Sequence, residues 1–363
     1  MANRLEVTEK LLERRPENAS KRLEPGSKVC ILNSHDIFSV LKDKQVIVMA
    51  CNTRIKHVIP GIMRAAEELD AIVCFELARS ESDLNGGYTG MTPQIYFDTV
   101  VGYAEEIGFT RPFFIHADHI TVKKTDPDYI EETRKLIAAQ LEAGYTSFAI
   151  DASFHENPIN AKLTIELSES IRARGLGLEV EVGEIKSAGM EAEITTVEEA
   201  VDYIERLDKA DVHPDLLAIN NGSKHGNYLE GEKIHIDLER TSEIYQAIKP
   251  YGICIAQHGI TGTPLTVVGR FADHGIRKGN VGTHWQNIAH KYLPEELMKD
   301  MRAWAESEGK DIKMATKVFK ERIDSIPEEN KKAIEQAAYE SAKEFITAFR
   351  APGTASMVIE ALG

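Results

Sequence analysis

Short apolar runs recur along the chain, each bounded by polar or glycine positions. In order they are "QVIVMACN" (45–52), "AIVCFEL" (71–77), "PFFIHAD" (112–118), "SFAIDAS" (147–153), "GLEVEVGE" (177–184), "LLAINNG" (216–222), "GICIAQHG" (252–259) and "IRKGNVGTH" (276–284). Between them lie amphipathic stretches with helical spacing, such as "HVIPGIMRAAEEL", "PDYIEETRKLIAAQLEAG" and "TVEEAVDYIERLDKA". Further stretches of this kind are "PLTVVGRFADHG" and "QNIAHKYLPEELMKDMRAWAE". Strands that alternate with helices pair in parallel, and continuous apolar strands belong to a sheet covered on both faces. Eight such units predict an α/β fold, a closed (β/α)8 barrel over residues 45–308. Residues 1–44 then form an N-terminal extension. A helical tail over 309–363 ("MATKVFKERID", "EENKKAIEQAAYESAKEFITAFR") follows the last unit. No linker-like composition separates these parts, so the expectation is a single domain in which the additions cover a barrel end or pair subunits.

Composition narrows the function classes. With 58 Asp and Glu against 43 Lys and Arg, the formal net charge is −15. A non-specific nucleic-acid or anionic-membrane surface is therefore not expected, because phosphates would be repelled. A small anionic substrate remains compatible if local basic groups or helix N-termini receive it. No apolar run approaches the roughly 20 residues of a membrane span. The N-terminal stretch is charged and lacks the apolar centre of a signal peptide. The four cysteines, Cys30, Cys51, Cys74 and Cys254, form no CxxC pair. They read as buried thiols of a cytoplasmic protein.

Candidate chemistry collects at one end of the predicted barrel. Each apolar run carries its conspicuous polar residues at its C-terminal end: Asn52, Glu76, Asp118 with His119, Asp151 with Ser153, Glu181, Asn220 to His225, His258, and Asn280 with Thr283. All of these positions surround the same mouth, where barrels of this kind keep their active sites. One histidine is ordinarily a surface or hydrogen-bonded residue. Three at corresponding strand ends, His119, His225 and His258, are candidate ligands of a catalytic metal with one position left open. Asp118 is within reach of a metal-bound substrate and suits a general base; support of a neighbouring histidine is its alternative role. Glu179 and Glu181 alternate on one strand and face the same side, which is costly in a barrel core unless they meet a cation or donors. The loop "HGITGT" (258–263) offers backbone N–H groups to a phosphate, although glycines in a tight turn explain it as well.

The motifs "HADH", "IDAS", "LEVEVGE", "NGSKHGNY", "QHGITGT" and "KGNVGTHWQ" together resemble the class II, zinc-dependent ketose-bisphosphate aldolases from about Asn52 to Gln286. The resemblance implies a dimeric or tetrameric barrel that cleaves a ketose phosphate, such as fructose 1,6-bisphosphate, to dihydroxyacetone phosphate and an aldehyde, such as glyceraldehyde 3-phosphate. By the resemblance His119, His225 and His258 hold Zn2+ or another divalent metal, and Glu181 contacts it in an alternative position. A monovalent cation is an optional companion. Asp118 moves the C4 hydroxyl proton, and Asn280 contacts the dihydroxyacetone portion. Gly226, Gly259, Thr261, Gly262 and Thr283 line its phosphate site, while Asn52, Asp151 and Ser153 match further substrate-binding positions. Glu191 or Glu193, in the loop "EIKSAGMEAEITT", exchanges the proton of the three-carbon product.

The chain also departs from that pattern. Leu229 stands in "HGNYLE" where the family has a lysine near the phosphate. Gly282 stands where "NxDT" carries an aspartate that helps read sugar hydroxyls, and Glu76 replaces a common serine. The basic residue for a far phosphate has no secure counterpart; Arg350 is the candidate. An aldolase acting on another ketose phosphate, tagatose-type or other, is therefore a standing alternative. A metal-dependent hydrolase on the same fold and a catalytically silent homologue are two more.

Overall fold

A computed structural model describes residues 4–183, 194–227 and 235–363. Eight parallel strands close into a barrel in chain order. They are β1 Val48–Asn52, β2 Val73–Ala78, β3 Phe113–Thr121, β4 Ser147–Asp151, β5 Gly177–Val182, β6 Leu216–Ile219, β7 Cys254–Gln257 and β8 Ile276–Val281. Closure is made by β8 on β1, with Met49 opposite Gly279. Every position of β1, β2 and β4 to β8 is buried, as continuous apolar runs demand when helices cover the outer face and side chains fill the inner one. The chain is thus the expected (β/α)8 TIM barrel with additional C-terminal helices.

Two of the expected helices differ at or after a proline. The 264–275 stretch forms only a four-residue helix, Leu265–Val268, and a 3₁₀ turn, Phe271–His274. The 286–306 stretch is divided between two helices, Thr283–Tyr292 and Glu295–Glu308. Pro294 causes the break. Its ring disfavours a helical Leu293, which is extended at φ −63° and ψ 151°.

The N-terminal extension covers the barrel's lower end. Ile31 bridges to Phe113 at the start of β3, and Ser34 Oγ donates to Ser147 Oγ at the start of β4 (2.7 Å). The tail's long helix, Glu328–Ala348, packs on the first barrel helix, Ile59–Glu68. A Cβ at Gly61 would lie 2.1 Å from the Glu335 carbonyl oxygen, so only glycine permits that approach. Earlier in the tail, the 3₁₀ turn Ile312–Met314 and the helix Ala315–Val318 reach the barrel mouth. All four cysteines are free and buried.

Candidate metal and substrate site

A cavity of about 1030 Å3 opens at the C-terminal ends of the strands. Its lining includes Asn52, Asp118, His119, Asp151, Glu181, His225, Gly226, His258, Gly259, Thr261, Asn280 and Thr283, all singled out from the sequence. Ser153 and Gly262 support it from behind. Ser153 Oγ donates to Asp151 Oδ1 (2.7 Å), and Gly262 turns its loop at φ +86°. Glu191, Glu193 and Leu229 lie outside the described residues.

The His-Asp-His cluster owes its geometry to a bulge. Between β3 and β4 the register runs Ala117 opposite Phe148 and then Ile120 opposite Ile150, so β3 holds one extra residue. His119 takes up that residue in the left-handed region at φ +37°, a conformation that costs a non-glycine residue on the order of 1–3 kcal/mol. Strict alternation would send Asp118 and His119 to opposite faces. The bulge instead brings Asp118 Oδ1 to 4.0 Å from His119 Nε2. Two amides hold the carboxylate: Asn52 Nδ2 donates to Oδ2 (2.8 Å), and Asn280 Nδ2 donates to Oδ1 (3.1 Å). Burial alone would raise the Asp118 pKa, but His119, His258 and Lys278 outweigh it and the carboxyl is held below its usual range.

Three imidazoles meet beside Asp118. Ring centroids are 4.4 Å apart for His119 and His258, 5.1 Å for His119 and His225, and 6.1 Å for His225 and His258. One donor atom each from Asp118, His119 and His258 lie within 4.8 Å of one another, and the same holds for His119, Asp151 and Glu181. His258 Nε2 donates to Glu179 Oε1 (2.8 Å), which leaves Nδ1 of the neutral ring with its lone pair. Burial holds His258 neutral and pushes the His225 pKa down to about 3, so neither ring must shed a proton near neutral pH to bind a cation. His119 is the exception. Burial would lower its pKa, but Asp118, Glu181 and Asp151 override it and hold it well above the ordinary imidazole range. Its Nδ1 lies 3.1 Å from Glu181 Oε2 and 3.3 Å from Asp151 Oδ2, while its buried Nε2 has no hydrogen-bond partner. Burial lifts the Glu181 pKa to about 7. A nitrogen-rich, carboxylate-flanked cluster with an unpartnered buried Nε2 fits a divalent cation of borderline softness.

A second charged layer lies deeper. Lys278 Nζ is 3.0 Å from Glu76 Oε2, 2.9 Å from Glu179 Oε2 and 2.9 Å from Asn280 Oδ1. All three groups are buried, and burial together with the Asp118 charge pushes the Glu76 carboxyl well above its ordinary range although Lys278 opposes the shift. The cation that the inward Glu179 required is thus Lys278, which the sequence reading did not identify. A usable signal existed: Lys278 alternates with Asn280 and so faces inward with it. His116 also belongs to this layer, with Nδ1 paired to Ser147 Oγ (2.7 Å) and Nε2 3.6 Å from Glu179 Oε2.

The phosphate-type loop lies opposite. Gly259, at φ +67°, passes so close to Lys224 that a Cβ would meet its carbonyl oxygen at 2.6 Å. Thr261 Oγ1 accepts from His284 N (3.1 Å), which joins this loop to the first turn of helix Thr283–Tyr292. That ten-residue helix, and not the four-residue one after Pro264, directs its N-terminus at the loop. Arg54, also missed from the sequence, donates from Nε to Glu81 Oε1 (2.6 Å) and from Nη1 to Thr283 Oγ1 (3.2 Å) and Gln286 Oε1 (3.1 Å). Arg350 does not line the cavity. Its guanidinium is bound to Asp273 and to the Gly269 carbonyl (2.8 Å), which removes it as the candidate for a far phosphate.

Comparisons with known proteins agree with this architecture. The sequence pattern of the family described as "Fructose-bisphosphate aldolase class-II" matches residues 32–350, so the chain belongs to the class II fructose-bisphosphate aldolase family. It is 28% identical to fructose-bisphosphate aldolase of Geobacillus stearothermophilus over 271 residues, covering 72% of this chain and 85% of that one. The corresponding aldolase of Streptococcus pneumoniae serotype 4 is 27% identical over 282 residues, 76% of this chain and 86% of its own. Among solved structures, the YdjI aldolase from Escherichia coli K12 superposes with a TM-score of 0.64 at 19% identity, over 90% of this chain and 99% of that one. Fructose-bisphosphate aldolase from Campylobacter jejuni gives 0.63 at 17% identity, covering 90% and 97%. These two likenesses speak for the fold alone.

Proposed function

We propose that the protein is a zinc-dependent aldolase that reversibly cleaves a ketose phosphate to dihydroxyacetone phosphate and an aldehyde. The observation that carries this reading is the meeting of three imidazoles beside an amide-held carboxylate, with one buried imidazole nitrogen unpartnered. His119, His225 and His258 would hold the ion, with Glu181 as its alternative contact. When bound, the ion supplies a Lewis acid for the substrate's carbonyl oxygen and for the charge that develops there.

The remaining work falls to the chain's own groups. Asp118, ionised and aimed by Asn52 and Asn280, accepts the proton of the substrate's C4 hydroxyl as the C3–C4 bond breaks, and returns it in the addition direction. Asn280 also orients the dihydroxyacetone portion. Gly226, Gly259, Thr261, Gly262 and Thr283 receive the phosphate through loop N–H groups and the N-terminus of helix Thr283–Tyr292. Asp151 and Ser153 keep His119 turned toward the centre. Proton exchange on the three-carbon product is assigned to Glu191 or Glu193.

The test is coupled release of triose phosphate from fructose 1,6-bisphosphate, before chelation, after it, and after zinc is restored. Activity should vanish and return. A zinc-loaded preparation that cleaves neither fructose 1,6-bisphosphate nor a panel of other ketose phosphates would sink the proposal.

A further inference from the structure

One departure from the family pattern, the missing aspartate at 282, acquires an explanation through Arg54. Its guanidinium lies beside Thr283, the residue that opens the helix facing the phosphate loop. Arg54 Nη2 also sits 3.1 Å from the place a Cβ on Gly282 would occupy, with Asn52 Oδ1 at 3.1 Å on the other side. Glycine at 282 leaves the room that this guanidinium needs; an aspartate there would press a carboxylate onto it. With glycine at 282 and arginine at 54, a cation stands next to the phosphate loop.

Glu81 is placed to hold Arg54 without consuming it. Its Oε1 accepts from Arg54 Nε (2.6 Å) and Tyr88 OH (3.0 Å), and its Oε2 from Asn52 Nδ2 (3.1 Å) and Ala78 N (3.0 Å). The carboxylate's charge is thus shared among four donors, only one of them from Arg54. The guanidinium keeps its Nη edge on the side of Thr283. A planar fork fixed at Nε is a strong receptor for the oxygens of a phosphomonoester.

We propose that Arg54 receives the phosphate of the substrate's three-carbon end, in place of the lysine that the family carries at 229. This rests on the aldolase reading and narrows it to a ligand bearing a phosphomonoester on that end. The same contacts extend toward the base, because Asn52 Nδ2 donates both to Glu81 and to Asp118. Arg54 and Glu81 thereby tie phosphate occupancy to the position of Asp118.

Titration calorimetry of the zinc-loaded protein with dihydroxyacetone phosphate, and separately with inorganic phosphate, tests the assignment. Arg54→Gln should weaken both by about tenfold or more, the loss of a charge-assisted contact, with zinc content unchanged. Glu81→Gln, which leaves the cation in place, should bind phosphate at least as tightly as the wild type. Gly282→Asp keeps both Arg54 and Glu81 but sets a carboxylate against the guanidinium and should reproduce the loss, which keeps the test alive if Arg54→Gln does not fold. Wild-type affinity in Gly282→Asp or Arg54→Gln, or an equal loss in Glu81→Gln, overturns the proposal. A wild-type protein that cleaves ketose phosphates while Arg54→Gln binds normally refutes only this inference. A wild-type protein that neither cleaves them nor binds dihydroxyacetone phosphate refutes the aldolase reading itself.

Discussion

The barrel interior holds two charged layers, built from the same residue types and resolved in opposite ways. In the lower one, Glu76 and Glu179 share Lys278, a cation that the chain supplies itself. In the upper one, Asp118, Asp151 and Glu181 surround His119, whose Nε2 is buried and unpartnered, with two neutral imidazoles alongside. Both layers take part in clusters close enough to suggest a metal, the lower one through Glu76 and His116 together with Asp118 of the upper. The lower layer has its counter-ion already. The upper is arranged to receive one. Residue type alone does not separate a structural charge cluster from a chemical one; what separates them here is whether a lysine of the chain stands between the carboxylates.

The sharpest way to break this contrast is in the upper layer. Asp118→Ala should keep zinc and lose about 10³-fold in turnover, within the span of a removed general base, whereas His225→Ala should lose the metal. Zinc content and kcat measured on both variants decide it. Release of zinc by Asp118→Ala would make the aspartate a supporting group. In the lower layer, Lys278→Met removes the cation that lies between the buried Glu76 and Glu179 and should cost about 3–5 kcal/mol of stability in a urea titration. A loss below about 1 kcal/mol would mean that these carboxylates are held neutral and that the layer is not the ion cluster described. The smallest expected effect lies outside both layers and gives a baseline. Burial pushes the His290 pKa down to about 4 from an ordinary 6.5. Its folded pKa lies below the unfolded one, so the associated stability is present above pH 6.5 and is lost as pH falls through about 4. His290→Gln should recover roughly 2–3 kcal/mol at pH 4.5 relative to the wild type, and an unchanged acid profile would remove His290 from the account.

The strands were legible because a parallel barrel strand is buried on both faces and reads as a short apolar run whose length and polar or glycine flanks set it apart from a buried helix. All eight fall within the expected runs to a few residues. Helices were legible except where a proline or a short connection intervened, as at Pro294 and after Pro264. The upper site was readable in residue identity but not in geometry. Nothing in "HADH" announces that β3 carries an extra residue, since a bulge depends on the partner strand's register. Lys278 was passed over because a lysine within "IRKGNVGTH" looks like a solvated charge, and its burial follows only from facing Glu76 and Glu179. Arg350 failed in the opposite direction. Its sequence neighbourhood does not say where the tail turns back, and it turns to Asp273 on the outer flank.

The tail's close seat on the first barrel helix has a consequence for the order of assembly. Gly61 lies against the backbone of Glu335, Ile47 N at the foot of β1 donates to the Phe349 carbonyl (3.0 Å), and one wall of the cavity is built from Lys313, Met314 and Lys317. The first βα unit to leave the ribosome is therefore completed by segments roughly three hundred residues younger. A nascent chain halted before that point lacks the residues that build this wall, so the chamber is closed only by the last fifth of the sequence.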